Sequence, residues 1–218
     1  MTLRPGDPWG APGGEPPDLE VAGDDAVLAA AGGAAPAGTR IRFRPDPSSD
    51  LARALGLVPG AAATQVEVGV DVLALADGTH AVNAVVLGPP PDRLRWWSRP
   101  TPTEIEVDGR RFFAGRATSV VIASGQYLRG LDVVPRGHPG DGRAEVQVYA
   151  LAAGERAGMR RRLSTGNHVP HPRIRQRAGR RFVVRRCRPG RLEVDGHTRG
   201  KAPELQVEVV PGGLRLAL

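Results

Sequence analysis

Arginine is the residue type through which this sequence could most directly bind a charged partner. Thirteen arginines and no Asp or Glu lie between Arg156 and Arg191. A segment of one charge attracts anionic partners, whether phospholipid headgroups or nucleic acid. A general preference for arginine is the alternative, because Lys201 is the only lysine, but that preference does not explain the local lack of acids. We expect an anion-binding surface formed by Arg160, Arg161, Arg162, Arg173 and Arg175.

Aspartates beside glycines form the second group of candidates. Asp-Gly between apolar, alternating runs is a strong hairpin signal, because glycine accepts the positive φ that such turns require. Asp141-Gly142 and Asp195-Gly196 both fit this pattern. The stretch 124–146 adds glycines at Gly125 and Gly130, so its turns are fixed by geometry rather than by bulk composition.

Composition excludes several classes of protein. Cys187 is the only cysteine, which rules out an internal disulfide and any multi-cysteine metal site and fits a reducing cytoplasm. The pair His168 and His171 lacks a third ligand, so we do not expect a zinc site. No apolar run approaches the ~18 residues of a membrane span, and residues 1–17 lack the apolar core of a signal peptide.

The order of the elements predicts an α+β protein that is mostly β. Strand and helix signals alternate between Ala22 and Leu57, and the segment 50–57 is typical of a helix that follows turn and capping residues at 45–49. From Thr64 onward, short β-rich runs separated by Asp-Gly turns indicate a two-layered antiparallel sheet domain. Within it, residues 66–72 and 81–87 are expected to pair as a hairpin.

Taken in order, these features resemble the bacterial diacylglycerol kinase and related lipid kinase family over roughly residues 20–218. The resemblance implies an α/β nucleotide-binding domain followed by a β-sandwich, with ATP and Mg²⁺ bound between them. It also implies transfer of the γ-phosphoryl group to a lipid hydroxyl at the membrane surface. The stretches that carry the resemblance are 50–57, 124–146, 168–172, 194–196 and 211–216.

The family resemblance also assigns roles to individual residues. The family's GGDGT loop matches residues 22–26 and its second nucleotide loop matches residues 44–50, which implies nucleotide binding at Gly23, Asp24 and Asp50. The resemblance further implies a catalytic Asp195 and a structural metal at Asp141. Turn, cap or surface roles remain the alternative for Asp24, Asp25, Asp50 and Asp71, and a plain hairpin turn for Asp141.

Several positions depart from the family pattern. Asp25 replaces a glycine of the first loop, where a carboxylate facing phosphate oxygens is unfavourable. Pro47 removes an amide donor from the second loop, and Ser124 stands where the family has asparagine. His197 replaces a glutamate near the family's reaction centre. The segment before Ala22 is shorter than in the family, so we expect a truncated nucleotide-binding part.

These observations predict a C-terminal antiparallel β-sandwich with a truncated, nucleotide-binding-like α/β part before it. The expected divisions are a disordered tail over residues 1–18, a remnant of the kinase N-terminal domain over 19–63, and the sandwich over 64–218. A lipid kinase-like protein with weak or absent activity, using ATP and Mg²⁺ if active and no cofactor otherwise, is the first hypothesis.

The alternative is a non-catalytic module that binds anionic lipid or a protein. Under either hypothesis the protein is expected in the cytoplasm, with peripheral attachment to anionic lipid at the inner membrane face. Specific nucleic-acid binding is not expected, because neither a reading helix nor an aromatic platform is recognisable. A protein partner is left open.

Overall fold

The computed structural model describes residues 10–13, 16–58, 66–166 and 170–218. His168 lies outside them. The helices of the described part are α1 (Asp25–Ala34), α2 (Asp50–Leu55) and α3 (Arg156–Thr165). Its strands are β1 (Ala11–Pro12), β2 (Leu19–Gly23), β3 (Arg40–Pro45), β4 (Val66–Leu75), β5 (His80–Ala81), β6 (Ala84–Leu87), β7 (Thr101–Val107), β8 (Arg110–Ala117), β9 (Ser119–Ala123), β10 (Tyr127–Leu128), β11 (Leu131–Asp132), β12 (Ala144–Tyr149), β13 (Ile174–Gly179), β14 (Arg181–Val194) and β15 (His197–Ala217).

A large, mainly antiparallel sheet organises the molecule, in the order β1, β4, β15, β14, β6, β9, β12, β13. The hairpin of β7 and β8 joins it through β14. Alternating apolar residues of these strands face an enclosed core that includes Val85, Ile122, Val146 and Phe182. The fold is therefore mostly β with few helices, as the sequence predicts, and its C-terminal part is sandwich-like.

The long strand β15 connects this sheet to the N-terminal layer. Its first half pairs antiparallel with β14 and its second half pairs antiparallel with β4. Its last residues run parallel to β3, with Arg215 opposite Arg40 and Leu216 opposite Ile41, and β3 pairs parallel with β2. The N-terminal layer thus takes one of its strands from the far end of the described chain.

The core of the N-terminal layer mixes residues from both ends of the chain. Leu28 of α1 and Leu51 of α2 pack with Val70 of β4 and Leu216 of β15, all four fully buried. The division between residues 19–63 and 64–218 stays a prediction, but this apolar cluster crosses it. A core built in this way holds the first turns of α1 and α2 firmly against the sheet.

A third apolar cluster lies on the other face of β6, β9 and β12. Val121 and Ala123 point into it, whereas Val120 and Ile122 point into the sandwich core. Helix α3 covers it with Met159 and Leu163. Strand β9 is therefore buried on both faces, which explains its unbroken apolar sequence.

Two details differ from the sequence-based expectations. The predicted hairpin of residues 66–72 with 81–87 is wrong for its main part, because β6 pairs with β9 and β14, and only the two residues of β5 pair with β4. Residues 1–18 are predicted to be a disordered tail, but Ala11–Pro12 within that range forms a short strand that pairs with β4. Among the described residues, no helix is long and apolar enough to cross a membrane.

Candidate functional site

Asp25 lies at the first turn of α1 and holds the start of α2. One of its carboxylate oxygens accepts a hydrogen bond from the Ser49 hydroxyl, and the other accepts the amides of Asp50 and Leu51, both at 3.0 Å. Burial, together with the negative charge of Asp50, raises the pKa of Asp25 to about 6. The carboxylate that replaces a family glycine therefore joins two helix N-termini.

Asp24 caps α1 and contacts the last hairpin of the chain. Its Oδ1 accepts the amide of Val27 at 3.0 Å, and its Oδ2 lies 2.6 Å from Nε2 of His197. Burial raises the pKa of Asp24, but these two hydrogen bonds outweigh that effect and lower it. Gly23 precedes it with φ of 142°, a value that favours glycine, so the chain turns sharply into the helix.

Asp50, the first residue of α2, holds the turn after β10. Its carboxylate accepts the amides of Arg129 at 2.5 Å and Gly130 at 2.7 Å. Arg129 has a positive φ of 57°, and its guanidinium lies 3.0 Å from the fully buried Glu193. Burial raises the pKa of Asp50. This carboxylate thus links the N-terminal layer to the stretch 124–146 of the sandwich.

Asp195 lies at the turn between β14 and β15, with its carboxylate buried. It accepts the amides of Val82 at 2.8 Å, Asn83 at 3.0 Å and Ala84 at 2.8 Å. Burial raises its pKa to about 7, and the charge of Asp25 adds to the shift. These bonds also explain the break between β5 and β6, because residues 82–84 donate to Asp195 instead of to a neighbouring strand.

The backbone amides at the start of α2 all have acceptors within the protein. The amide of Ser48 donates to the Asp46 carboxylate at 2.8 Å and that of Ser49 donates to the Asp46 carbonyl at 3.2 Å. Asp25 accepts the next two amides, and Ser49 Oγ accepts that of Ala52 at 2.9 Å. A loop that binds phosphates does so with backbone amides that have no other acceptor. This loop therefore does not fit the phosphates of a nucleoside triphosphate.

The acidic residues also do not fit a resident Mg²⁺. Both oxygens of Asp25, Asp50 and Asp195 accept hydrogen bonds from the protein. In the part of the chain that the structure describes, no group of three or more His, Cys, Asp or Glu side chains is arranged to hold a metal ion. The cluster connects elements of the fold, and no chemical step is assigned to a metal there.

Asn83 is a residue of this site that the sequence analysis missed. Its side chain is 1% exposed and its Nδ2 donates to the carbonyl of Tyr127 at 3.0 Å. Its Oδ1 accepts no hydrogen bond from any described residue. A Cβ at Gly125 would lie 2.3 Å from that oxygen, so a larger residue at position 125 would require the Asn83 side chain to move. One polar residue inside the apolar run 81–87 is the signal that could have revealed it.

Asp141 lies apart from this cluster, next to Asp71. Asp71 is fully buried and accepts the amides of Gly142 at 2.6 Å and Gly212 at 2.9 Å. Burial, together with the charge of Asp141, raises the pKa of Asp71 to about 6. Asp141 itself accepts the amide of Arg143 at 2.9 Å. Both carboxylates hold turns here, and a metal at Asp141 stays a prediction.

A cavity of about 550 Å³ lies beneath α3, on the sheet face formed by β12 and β13. Apolar side chains of Met159, Leu163, Val133 and Ile174 line it. Polar and charged side chains at its wall are those of Arg136, Arg162, His171, Glu145, Gln147 and Gln176. An elongated apolar molecule with a polar or anionic end fits such a chamber.

The arginine run is divided between this cavity, the surface and the interior. Arg161, Arg173 and Arg175 are exposed, Arg160 is half-buried, and Arg162 lines the cavity. Two other members are structural: Arg156 is 3% exposed and Arg186 is 8% exposed. The predicted anion-binding surface on α3 and β13 stays a prediction, whereas part of the run serves folding.

Comparison with known proteins agrees with this architecture. Residues 92–218 match the family model described as the YegS C-terminal NAD kinase beta sandwich-like domain. The chain belongs to this family. The match covers more than half of the chain and confirms the sandwich expected from the sequence. A search of curated proteins found no match.

Solved structures extend the likeness to most of the chain. A diacylglycerol kinase from Bacillus anthracis str. Sterne superposes with a TM-score of 0.72 at 18% identity, covering 92% of this chain and 76% of that one. An NAD kinase from Archaeoglobus fulgidus, solved in complex with ATP, superposes with a TM-score of 0.50 at 10% identity, covering 92% of this chain and 78% of that one. At these identities the likeness shows a shared kinase-like fold.

The structure brings the predicted catalytic and nucleotide-binding residues together. Gly23, Asp24, Asp50 and Asp195 surround the start of α1, and Asp25 and His197 lie among them. Asp141 does not join them. The roles predicted for these residues stay predictions, and the hydrogen bonds that occupy the phosphate-loop amides are visible only in the structure.

Proposed function

We propose that this chain is a lipid-binding protein on a lipid kinase fold, in which ATP-dependent phosphoryl transfer to a lipid hydroxyl is weak or absent. The observation that carries the proposal is the occupation of the amides of residues 48–52 by the protein's own oxygens. A triphosphate would have to displace Asp25 and Asp46 from these amides, and it would meet their negative charges.

The cavity beneath α3 supports the lipid-binding part of the proposal. Its apolar wall suits an acyl chain, and Arg136, Arg162 and His171 suit a phosphate or a polar headgroup. We propose diacylglycerol or its phosphorylated product, phosphatidic acid, as the ligand class. Peripheral attachment to an anionic membrane, through the arginines of α3 and β13, belongs to the same proposal, as does a cytoplasmic location.

A second candidate is an active lipid kinase that uses ATP and Mg²⁺. It is favoured by the grouping of Asp24, Asp25, Asp50 and Asp195 around one helix N-terminus, because carboxylates can serve phosphoryl transfer as metal ligands or as the base, and a helix N-terminus can bind phosphate. A partner protein that displaces Asp25 from the amides of α2 would convert the first arrangement into the second.

Calorimetry with MgATP separates the two candidates. We expect no saturable heat, and transfer from labelled ATP to diacylglycerol in mixed micelles at the level of a heat-inactivated control. Product well above that control, lost in Asp195→Asn but kept in Asp77→Asn on an exposed hairpin, would support the active kinase and contradict the proposal.

A second experiment tests the cavity. Binding of fluorescent diacylglycerol and phosphatidic acid in micelles is compared between wild type and Met159→Trp, which fills the chamber. We expect Met159→Trp to lose binding of both lipids, while Arg162→Gln weakens phosphatidic acid more than diacylglycerol. Val210→Trp on an exposed strand position is the control, and equal binding by all four proteins would contradict the proposed site.

A further inference from the structure

A tight turn at residues 95–98 projects two tryptophans from the surface. The amide of Ser98 donates to the carbonyl of Arg95, and the amide of Arg95 donates to the hydroxyl of Ser98, both at 3.0 Å. Trp96 and Trp97 occupy the two central positions, 72% and 60% exposed. Large aromatic side chains with this exposure mark a surface that meets another molecule.

Helix α3 holds this turn in place. The guanidinium of the buried Arg156 donates to the carbonyls of Arg95 at 2.8 Å, Trp96 at 3.0 Å and Ser98 at 2.8 Å. Arg160, one turn further along the helix, donates to the carbonyl of Leu94, whose side chain is fully buried. The tryptophans are therefore carried by an anchored backbone, which gives them a fixed direction relative to the sheet.

Arginines surround the tryptophan turn. A groove of about 440 Å³ beside the two rings is also lined by Arg99, Arg116 and Arg173, and no Asp or Glu occurs among the described residues that line it. Arg95 on the turn itself and Arg93, two residues before it, are both exposed. The surface therefore combines exposed indole rings with a concentration of positive charge.

We propose that the turn at residues 95–98 inserts Trp96 and Trp97 into the interfacial layer of an anionic phospholipid bilayer. Indole rings favour the boundary between headgroups and acyl chains, because one part of the ring is apolar and its N–H is polar. Arg99, Arg116 and Arg173 then contact headgroup phosphates. The proposal deepens the peripheral attachment proposed above and rests on that part of the proposed function.

The geometry of the two rings favours a bilayer over single-stranded nucleic acid. Their centroids are 5.3 Å apart and their planes are perpendicular. Successive bases stack on aromatic faces presented in series, whereas the edge of one ring here faces the other. Insertion into a bilayer interface makes no such demand on ring orientation, so the bilayer is the partner that fits both the charge and the rings.

Tryptophan fluorescence of the full chain tests the proposal. Trp9 is the only other tryptophan, so Trp9→Phe confines the signal to the turn. We expect phosphatidylcholine vesicles containing phosphatidylglycerol to shift the emission to the blue and to protect it from aqueous quenchers. Vesicles of phosphatidylcholine alone should give little change. No shift with the anionic vesicles would overturn the proposal.

Sedimentation of variants with the same vesicles tests the residues. We expect Trp96→Ser with Trp97→Ser to weaken binding at least ~10-fold, and Arg99→Gln with Arg116→Gln to weaken it about 5-fold for each arginine. The charge-matched control Arg44→Gln with Arg215→Gln, on the N-terminal layer, should bind nearly as wild type. Unchanged binding by the tryptophan variant, with wild-type melting temperature, would refute the proposal.

Two further measurements separate this inference from the others. A single-stranded oligonucleotide that competes with the vesicles and quenches the same tryptophans would also overturn it in favour of nucleic acid. Micellar diacylglycerol binding in the cavity should survive in the tryptophan variant. If vesicle binding depends on the tryptophans while the cavity binds no lipid, the membrane inference stands and the cavity proposal fails.

Discussion

Individual carboxylates in this protein act as acceptors for backbone amides. Asp25, Asp50 and Asp195 together accept seven backbone amides, and each carboxylate connects two segments that are distant in sequence. A buried carboxylate stabilises such a junction only while its donors remain paired. Aspartate, a residue type that the resemblance associates with catalysis, thus holds separate segments of the fold together here. A change in the protonation of these aspartates should therefore change the stability of the folded protein.

Stability should therefore fall as pH rises through neutrality. The pKa of Asp195 is raised to about 7 and those of Asp25 and Asp71 to about 6. The folded state binds more protons than the unfolded chain between about pH 4 and 7, so the free energy of unfolding decreases with pH in that window. We expect a higher urea midpoint at pH 5 than at pH 8.

Asp195→Asn identifies the residue responsible for this pH dependence. The amide cannot ionise, so the urea midpoint should change less between pH 5 and pH 8 than in wild type. Asp77→Asn, at an exposed turn where hydrogen bonds from Thr79 lower the pKa, should keep the wild-type difference. A midpoint that is higher at pH 8 than at pH 5 would show that the buried carboxyls do not take up protons as described.

Removing the Asp25 carboxylate should be costly. Asp25→Ala leaves the Ser49 hydroxyl and two buried amides without their acceptor, and each loss costs roughly 1–3 kcal/mol. We expect a loss of about 3 kcal/mol or more in urea unfolding. Asp46→Ala, on the exposed side of the same loop, should cost clearly less, and equal losses would contradict a special role for Asp25.

At the scale of elements, the sequence predicted strands better than the α3 helix. Alternating valines in β4 and the Asp-Gly turns have local causes, so their positions are readable without tertiary information. The buried residues of α3 are Arg156, Met159 and Leu163. Because the first of them is an arginine, the helical spacing of apolar residues cannot be recognised in the sequence. The burial of Arg156 depends on carbonyls of a turn some sixty residues earlier, which no local pattern records.

The candidate site, like the secondary structure, was predictable from the sequence only in part. The motifs that carry the family resemblance contain Gly23, Asp24, Asp50 and Asp195, which the structure places in one region, because each motif lies at a strand end or a helix start; their predicted roles stay predictions. The occupation of the α2 amides could not be read from the sequence, since it requires Asp25 and Ser49 to meet across two elements. The break between β5 and β6 likewise depends on Asp195, over a hundred residues away.

Arg156 should be the residue on which the α3 contact with the tryptophan turn depends. Arg156→Met leaves three carbonyls without their donor, and hydrogen bonds to a charged group are worth roughly 1.5–3 kcal/mol. We expect a lower melting temperature and greater mobility of Trp96 and Trp97 in fluorescence anisotropy. Arg161→Met, exposed on the same helix, is the matched control and should leave both quantities unchanged.

On the scale of the whole molecule, charge is distributed unevenly between the two ends of the chain. The sequence carries a net charge of +7, yet residues 1–39 hold six acids and one arginine. The positive excess therefore belongs to the remainder, where the cavity and the tryptophan turn lie. An arrangement of this kind orients the protein in the field of an anionic surface before any contact forms.

This distribution predicts that attachment to anionic vesicles depends on salt. Raising the ionic strength shortens the Debye length from about 10 Å at 0.1 M to about 3 Å at 1 M, so vesicle binding should weaken strongly over that range. Cavity binding of uncharged diacylglycerol in micelles should change little. Vesicle binding that is insensitive to salt would indicate that the arginines play no part in attachment.

Strand β15 affects the order in which parts of this fold can form during synthesis. Strand β3 is synthesised before its parallel partner at residues 215–217, with β4 to β14 lying between them in the chain. Until that partner is made, Ile41 and Leu51 lack the contact with Leu216 that completes their core. On the ribosome, the N-terminal layer should remain incomplete and exposed to chaperones while the sandwich is being made. Strand β3 and the helices packed against it should therefore become protected from hydrogen exchange later than the strands of the sandwich core.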